Sequence, residues 1–341
     1  MKFNLNLNIR KSLFILGLNL CGNYVYAQCT VTDAVSTSIK IPSISLYESG
    51  ESTVQFRSGL SCTGFSLATG NMAYLKYSVE QASNNFRHIK TLEPLRVQLT
   101  NLDQKPIVQG AEEDLSRYSF MNFFSGADGS IPFYYNIPAG QNVSPGIYIA
   151  DKSLKIRWFY SIPALAALGF GLYYESPGIN RGIPWTGWGF KWGEGIASTQ
   201  HLQVEILPDC RILTQDVNLG TAAFIGQFEP VQTSMGIRCS VNTAYSVSLN
   251  NGLYSQNGNQ RAMKSQLTND YLKYEIYKNS TSERWGQGIE SWSSNDATVN
   301  GGVYDGRTQQ LYSFTTRILS NNLEIMPAGN YQDIISVEVS F

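Results

Sequence analysis

His88 and His201 are the only two imidazoles in a chain of 341 residues, and each stands alone in the sequence. A zinc centre needs clustered ligands, so each ring reads as a satisfied or solvent-exposed histidine. The run Glu112-Glu113-Asp114 hints at calcium, but the ligand spacing of an EF-type loop is absent and a solvated turn is the simpler reading. No Gly-x-Ser-x-Gly elbow, phosphate loop or His-Glu-x-x-His helix occurs. These residues predict neither an enzyme nor a bound cofactor or metal. Net charge is −1, charged residues are 15% of the chain, and no basic run is present, so nucleic acid is not an expected partner.

Sulfur and aromatic carbon are the more informative chemistry. Lys2, Arg10 and Lys11 precede an apolar run from Leu13 to Leu20, and Val25-Tyr26-Ala27 suits cleavage between Ala27 and Gln28. Residues 1–27 therefore read as a signal peptide. The run is too short to span a membrane, and Asn19 and Leu20 argue against lipidation at Cys21. Cleavage removes three basic residues and no acid, so the mature charge is −4. It leaves four cysteines, which allow three pairings. Spacings of 33 and 29 residues, one pair near the start of each copy of a repeat, favour Cys29–Cys62 and Cys210–Cys239. Such bonds form in an oxidising compartment such as a periplasm.

Residues 158–192 hold ten aromatics with only three charges, Glu175, Arg181 and Lys191, and are dense in glycine. Pro163 and the glycines mark turns and not a membrane helix. Part of this stretch reads as core, with Trp158 and Tyr160 on a strand. The rest reads as exposed apolar loop tips, because a large apolar patch on a secreted protein marks an interaction site. Three segments have that character. Ala164, Leu165, Ala166, Leu168 and Phe170 form one, Ile183, Trp185, Trp188 and Phe190 a second, and Phe120, Phe123 and Phe124 a third. A lectin-like reading, with Trp185, Trp188 and Trp192 stacking on sugars, needs a polar cluster to orient hydroxyls. The tips contain little beyond Thr186.

The elements that must position these residues are strands. Short alternating runs such as Leu95–Leu99, Leu202–Ile206 and Tyr245–Leu249, bounded by Gly, Asn, Ser and Pro, predict an all-β chain of immunoglobulin-like sandwiches. One motif occurs twice, as Ile137-Pro138-Ala139-Gly140 and as Met326-Pro327-Ala328-Gly329, 189 residues apart, while Cys29 and Cys210 lie 181 apart. The repeat predicts two domains, 28–207 and 210–341, joined where Pro208 ends a strand.

After the first copy, the chain continues to Leu202–Leu207, which can pair as a closing strand. The second copy leads into Ile334–Phe341 with no further strand expected. A sandwich short of its last strand exposes an unpaired edge and an apolar slot, and a strand given by another protein is the physical remedy. A smaller but complete strand set for the second domain is the competing reading.

The second domain resembles the spore-coat-U-type pilin domain of archaic chaperone–usher pili. The residues that carry the resemblance are Cys210, Gly236-Ile237-Arg238-Cys239, Tyr245 to Gly252, Arg261-Ala262-Met263, Leu272 to Tyr277, Trp285-Gly286 and Pro327 to Tyr331. The two-domain layout resembles the tip adhesins of Csu-type pili. The resemblance implies an incomplete immunoglobulin-like sandwich held by a periplasmic pilus chaperone. An outer-membrane usher would then exchange that chaperone for the donor strand of an adjacent pilin. It implies hydrophobic finger loops on the first domain that bind hydrophobic abiotic or host surfaces, and a place at the pilus tip on the cell surface. A lectin-like adhesin and a non-adhesive structural pilin remain the alternatives. Cys29 follows the expected cleavage site by one residue, so an N-terminal donor strand is not expected on this chain.

Overall fold

The computed structural model describes residues 28–35, 39–63, 67–69, 72–118, 124–125, 129–183, 188–322 and 326–341. The expected signal peptide 1–27, with the Ala27 side of its cleavage site, lies outside them, as do Phe120, Phe123 and Trp185. Among the described residues the chain is almost entirely strand, with one seven-residue helix, Ser43–Ser49, and three short 3-10 turns. Two compact units emerge. One comprises residues up to 39, 51–138 and 148–204; the other comprises 40–50, 139–147 and 205–341.

In the first unit, a four-stranded sheet runs in the order Gln28–Val31, Gln55–Thr63, Ser130–Asn136, Gln98–Thr100. Its register sets Cys29 opposite Cys62, and the expected disulfide closes there. The facing sheet is built on one fourteen-residue strand, Leu154–Ala167. Tyr74–Gln81 and Ile196–His201 pair antiparallel with its first half. Trp158 is fully buried between the sheets, with the rings of Tyr77 and Phe133 at 5.6 and 6.0 Å. Its indole N–H donates to Ser198 Oγ at 3.2 Å, so the large ring is buried without an orphaned polar atom. The strand expected over Leu202–Leu207 forms as Gln203–Leu207, which pairs with Ile39–Pro42 and Gly146–Ala150 in a separate five-stranded sheet.

The second unit packs a six-stranded sheet against a three-stranded one. The larger is ordered Cys210–Leu213, Val231–Cys239, Gln310–Ile318, Tyr271–Lys278, Ala262–Ser265, Tyr331–Gln332, and the smaller Trp292–Ser293, Ser246–Leu249, Val337–Ser340. Cys210 sits opposite Cys239, and the second expected disulfide forms. Trp285, Trp292 and Tyr312 stack and edge at the centre of the core, with centroids 5.0 to 5.9 Å apart. The segment 331–340 serves both sheets. Tyr331–Gln332 pairs with Lys264 and Ser265, and Val337–Ser340 pairs with Ser246–Leu249.

A disulfide stabilises chiefly by restricting the unfolded chain. Replacing Cys29 and Cys62 together by Ser is expected to lower stability by about 2–4 kcal/mol, read as a shift of the denaturant midpoint. An unshifted midpoint would mean that the ladder 28–31 against 60–63 suffices without the bond.

Candidate functional site: an apolar hairpin and an open groove

The expectation that residues 163–169 form a loop tip needs correction. The strand continues through Pro163 to Ala167, and only Leu168 and Gly169 turn. Pro163 is tolerated because the ladder slips between Pro163 and Leu165, and a bulge is where a residue without an N–H fits. Leu168 at φ 51 and Gly169 at φ 82 give the left-handed pair of a two-residue type I′ hairpin. Phe170–Glu175 then returns along the strand, Ala167 opposite Phe170 and Leu165 opposite Leu172. On its other side, Leu165–Ala167 pairs in parallel with Leu67–Thr69.

The alternation of a strand sorts the apolar residues. Ala164 and Ala166 point inward and are buried, which corrects the expectation that they lie on an exposed tip. Leu165, Ala167, Phe170 and Leu172 share the outward face. Leu168 is 60% exposed, Phe170 62% and Leu172 64%. Leu172 was not among the sequence candidates; once Leu168-Gly169 is read as a two-residue turn, its pairing with Leu165 follows. Gly171 lies at the closest approach of the two strands, where a Cβ would sit 2.2 Å from the Leu165 carbonyl oxygen.

The second aromatic segment is antiparallel at its base, closed by Asn180 and Lys191 and by the Ile183 N–H donating to the Trp188 carbonyl at 3.0 Å. Ile183 is exposed, and Trp188 is 76% exposed. Arg181 ties this loop to the first hairpin. Its guanidinium stands 3.2 Å above the Tyr173 ring and 4.0 Å from the Glu175 carboxylate. Phe190, expected on an exposed tip, is half-buried instead. It stacks on Tyr74 at 4.1 Å and meets the edge of Trp192 at 4.9 Å. Trp192 is thereby packed, with Lys76 Nζ 5.6 Å from its ring. Phe124, of the third segment, is half-buried.

Two of the polar candidates, His88 and Glu113, make structural contacts. His88 Nδ1 faces the N–H groups of Lys90 and Thr91 at 3.3 and 3.0 Å, which donate to it and hold a turn. Glu113 accepts from the Tyr77 hydroxyl at 2.7 Å and pairs with Lys105 at 2.5 Å. His201 is exposed.

The second unit carries a groove of about 710 Å3 between the segments 214–219 and 331–337. Met235, Leu249, Tyr274, Ile276, Trp285 and Phe314 form its floor, with Val217 and Leu219 on one wall and Ile335 and Val337 on the other. Floor side chains are buried, whereas Val217, Ile335 and Val337 are only half-buried. Among the described residues no backbone hydrogen bond joins the two walls. Both walls thus offer main-chain donors and acceptors across an apolar floor, the arrangement that an added strand satisfies.

One wall is held by a polar clasp. The Asp333 carboxylate accepts from the N–H groups of Leu253 and Ile334, both at 2.8 Å, and from the Tyr274 hydroxyl at 2.7 Å. Burial, and then the bond to Asp333, push that hydroxyl far above the ordinary tyrosine value, so it stays a donor. Gly252, at φ 83, is required here, since a Cβ would lie 1.9 Å from the Asp333 carboxylate. Behind this loop sits Arg261, fully buried. It pairs with Glu275 at 2.6 Å and donates to the carbonyl oxygens of Leu249 at 3.2 Å and Asn250 at 2.7 Å. Arg284 adds a second bond to Glu275 and reaches Asn251 Oδ1 at 2.7 Å. The motif residues Asn250-Asn251-Gly252 and Arg261 are therefore the scaffold of the groove wall.

A hydrogen bond to a charged acceptor contributes about 1.5–3 kcal/mol. Asp333→Ala is expected to loosen the wall, seen as faster hydrogen exchange at Leu253, Tyr254 and Ile334. Unchanged exchange at these amides would show that the clasp does not hold them.

A family model of the Spore Coat Protein U domain matches residues 196–338. No curated protein matches the chain. One solved structure is 53% identical, covering 92% of this chain and 100% of its own, with a TM-score of 0.75. It is the CsuC–CsuE chaperone–tip adhesion subunit pre-assembly complex from archaic chaperone–usher Csu pili of Acinetobacter baumannii. The adhesin CfaE of enterotoxigenic E. coli CFA/I is 10% identical, covering 91% of this chain and 92% of its own, with a TM-score of 0.28. The CupB6 tip adhesin from Pseudomonas aeruginosa is 7% identical, covering 92% of this chain and 94% of its own, with a TM-score of 0.29. Those two likenesses carry no argument. The identity to the Csu relative does: this chain belongs to the tip-adhesin family of archaic, Csu-type chaperone–usher pili, a family of pilus subunits and not of enzymes.

Proposed function

We propose that this chain attaches a pilus to hydrophobic abiotic or host surfaces, and so supports biofilm formation, through the exposed apolar residues of its first domain. The outward stripe of Leu165, Leu168, Phe170 and Leu172 carries this reading. Ile183 and Trp188 add to it from the neighbouring loop. The mechanism is burial of apolar area. At roughly 25 cal/mol per Å2, a few hundred Å2 per hairpin offers several kcal/mol before association costs. Many tips on many fibres add avidity.

The second domain, 210–341, serves as the joint to the fibre. In the groove, a periplasmic chaperone strand would occupy the floor first. An outer-membrane usher would then exchange it for the donor strand of an adjacent pilin. Each fully buried apolar side chain of that strand would contribute about 1.5–3 kcal/mol. Two features support this reading: the unjoined walls 214–219 and 331–337, and the chaperone complex in which the Csu relative was solved. In this reading the chain is exported through the periplasm to the pilus tip.

Two measurements test the proposal. Pili bearing Leu165→Ser with Phe170→Ser should assemble normally and lose at least about tenfold of their retention on polystyrene, on the area estimate above. Unchanged retention would sink the hydrophobic reading, and single-sugar binding on a glycan array abolished by Trp188→Ala would replace it with the lectin. For the joint, the full chain should be soluble only when co-expressed with its chaperone. Stable, soluble chain produced alone would mean that the groove needs no added strand.

A further inference from the structure

Seven non-glycine residues have positive φ among the described residues: Leu92, Gln104, Leu168, Asn242, Asn257, Asn279 and Asn300. Asparagine is the usual non-glycine choice for that conformation, since its short polar side chain tolerates it, whereas a branched apolar residue is an outlier there. Four of the seven follow that rule. Leu168 does not. It takes the first central position of a type I′ turn, where Asn, Asp or Gly is favoured, while the second position, Gly169, is the preferred residue.

Nothing inside the hairpin accounts for the leucine. Leu168 is 60% exposed, so its side chain gains little from packing within its own domain. Its place is the apex of the outward stripe, beside Phe170 and between the paired strand ends Ala167 and Phe170. Strained backbone persists where the surroundings or a function maintain it.

We infer that Leu168 is the leading contact residue of the adhesive hairpin, held in a strained turn so that a branched alkyl side chain reaches an alkyl-terminated surface first. This rests on the adhesive reading above. It adds that turn stability and attachment oppose each other at one residue. Relieving the strain should tighten the hairpin and weaken binding. Leu92 is the internal control. It is also an exposed leucine at positive φ, but it lies in the turn between the strands Asn85–His88 and Pro94–Arg96.

The experiment uses the full chain co-expressed and purified with its chaperone, with retention read by a quartz microbalance on a methyl-terminated monolayer and on a hydroxyl-terminated one. Leu168→Asn and Leu168→Gly should slow hydrogen exchange across Leu165–Leu172 by about five- to tenfold. Both should lower retention on the methyl surface by about tenfold and leave the hydroxyl surface unchanged. Leu92→Asn should slow exchange in its own turn alone, with retention kept. Retention of the Leu168 variants at the parental level, while Phe170→Ser and Leu172→Ser lose it, would overturn the apex role and leave the adhesive reading standing. Exchange that is unchanged or faster in Leu168→Asn would overturn the opposition of stability and binding. Parental retention in all of Leu165→Ser, Leu168→Asn, Phe170→Ser and Leu172→Ser would remove the adhesive reading itself, and the inference with it.

Discussion

The backbone ladder along Leu154–Ala167 decides which side chains of the first unit face water. Its first half is hydrogen-bonded on both edges, by Tyr74–Gln81 and by Ile196–His201. Its last three residues, Leu165–Ala167, are again paired on both edges, by Phe170–Leu172 and by Leu67–Thr69. A strand with both edges satisfied can carry apolar residues far beyond the core without offering its backbone to other chains. The stripe of Leu165, Phe170 and Leu172 thus stands on a scaffold rooted in the buried Trp158 layer. The brace of Arg181 against Tyr173 and Glu175 extends the same support to the neighbouring loop.

The second unit solves a different problem. Its floor is assembled and packed around Trp285, yet among the described residues no backbone hydrogen bond joins its two borders to each other. An apolar slot of this kind keeps its shape only if its walls are held from outside the slot. The buried Arg261–Glu275–Arg284 cluster and the Asp333 clasp do this. Each charge in the cluster is both paired and hydrogen-bonded, which is the condition under which burying it is tolerated. Strong polar bonds therefore stand behind the groove, while its floor is largely apolar.

Much of this was legible in the sequence because it is written in short-range pattern. Period-two alternation marked strands such as Leu202–Ile206 and Tyr245–Leu249. The cysteine spacing within each repeat identified both disulfides, and Leu202–Leu207 was recognisable as a pairing strand. What failed were quantities set by partners distant in sequence. Pro163 reads as a strand breaker until the bulge opposite Tyr173 and Leu172 supplies a place for it. The burial of Ala164 and Ala166, and the outward turn of Leu172, depend on a register that no single segment contains. Phe190 reads as a free aromatic tip until Tyr74 is placed beneath it. The grouping of residues 40–50 and 139–147 with the second unit has no local signature either.

The bulge at Pro163 has a consequence for how such a hairpin can vary in length. It separates the part of the strand locked to the Trp158 core from the part whose outward face presents the apolar stripe. Beyond it, residues can be added or removed two per strand, giving longer or shorter fingers with the same outward chemistry. An odd change would exchange the two faces, turning Leu165 and Leu172 inward and small residues out. Reach is therefore adjustable in steps of about 7 Å, two residues of strand rise, without any change in the sandwich beneath.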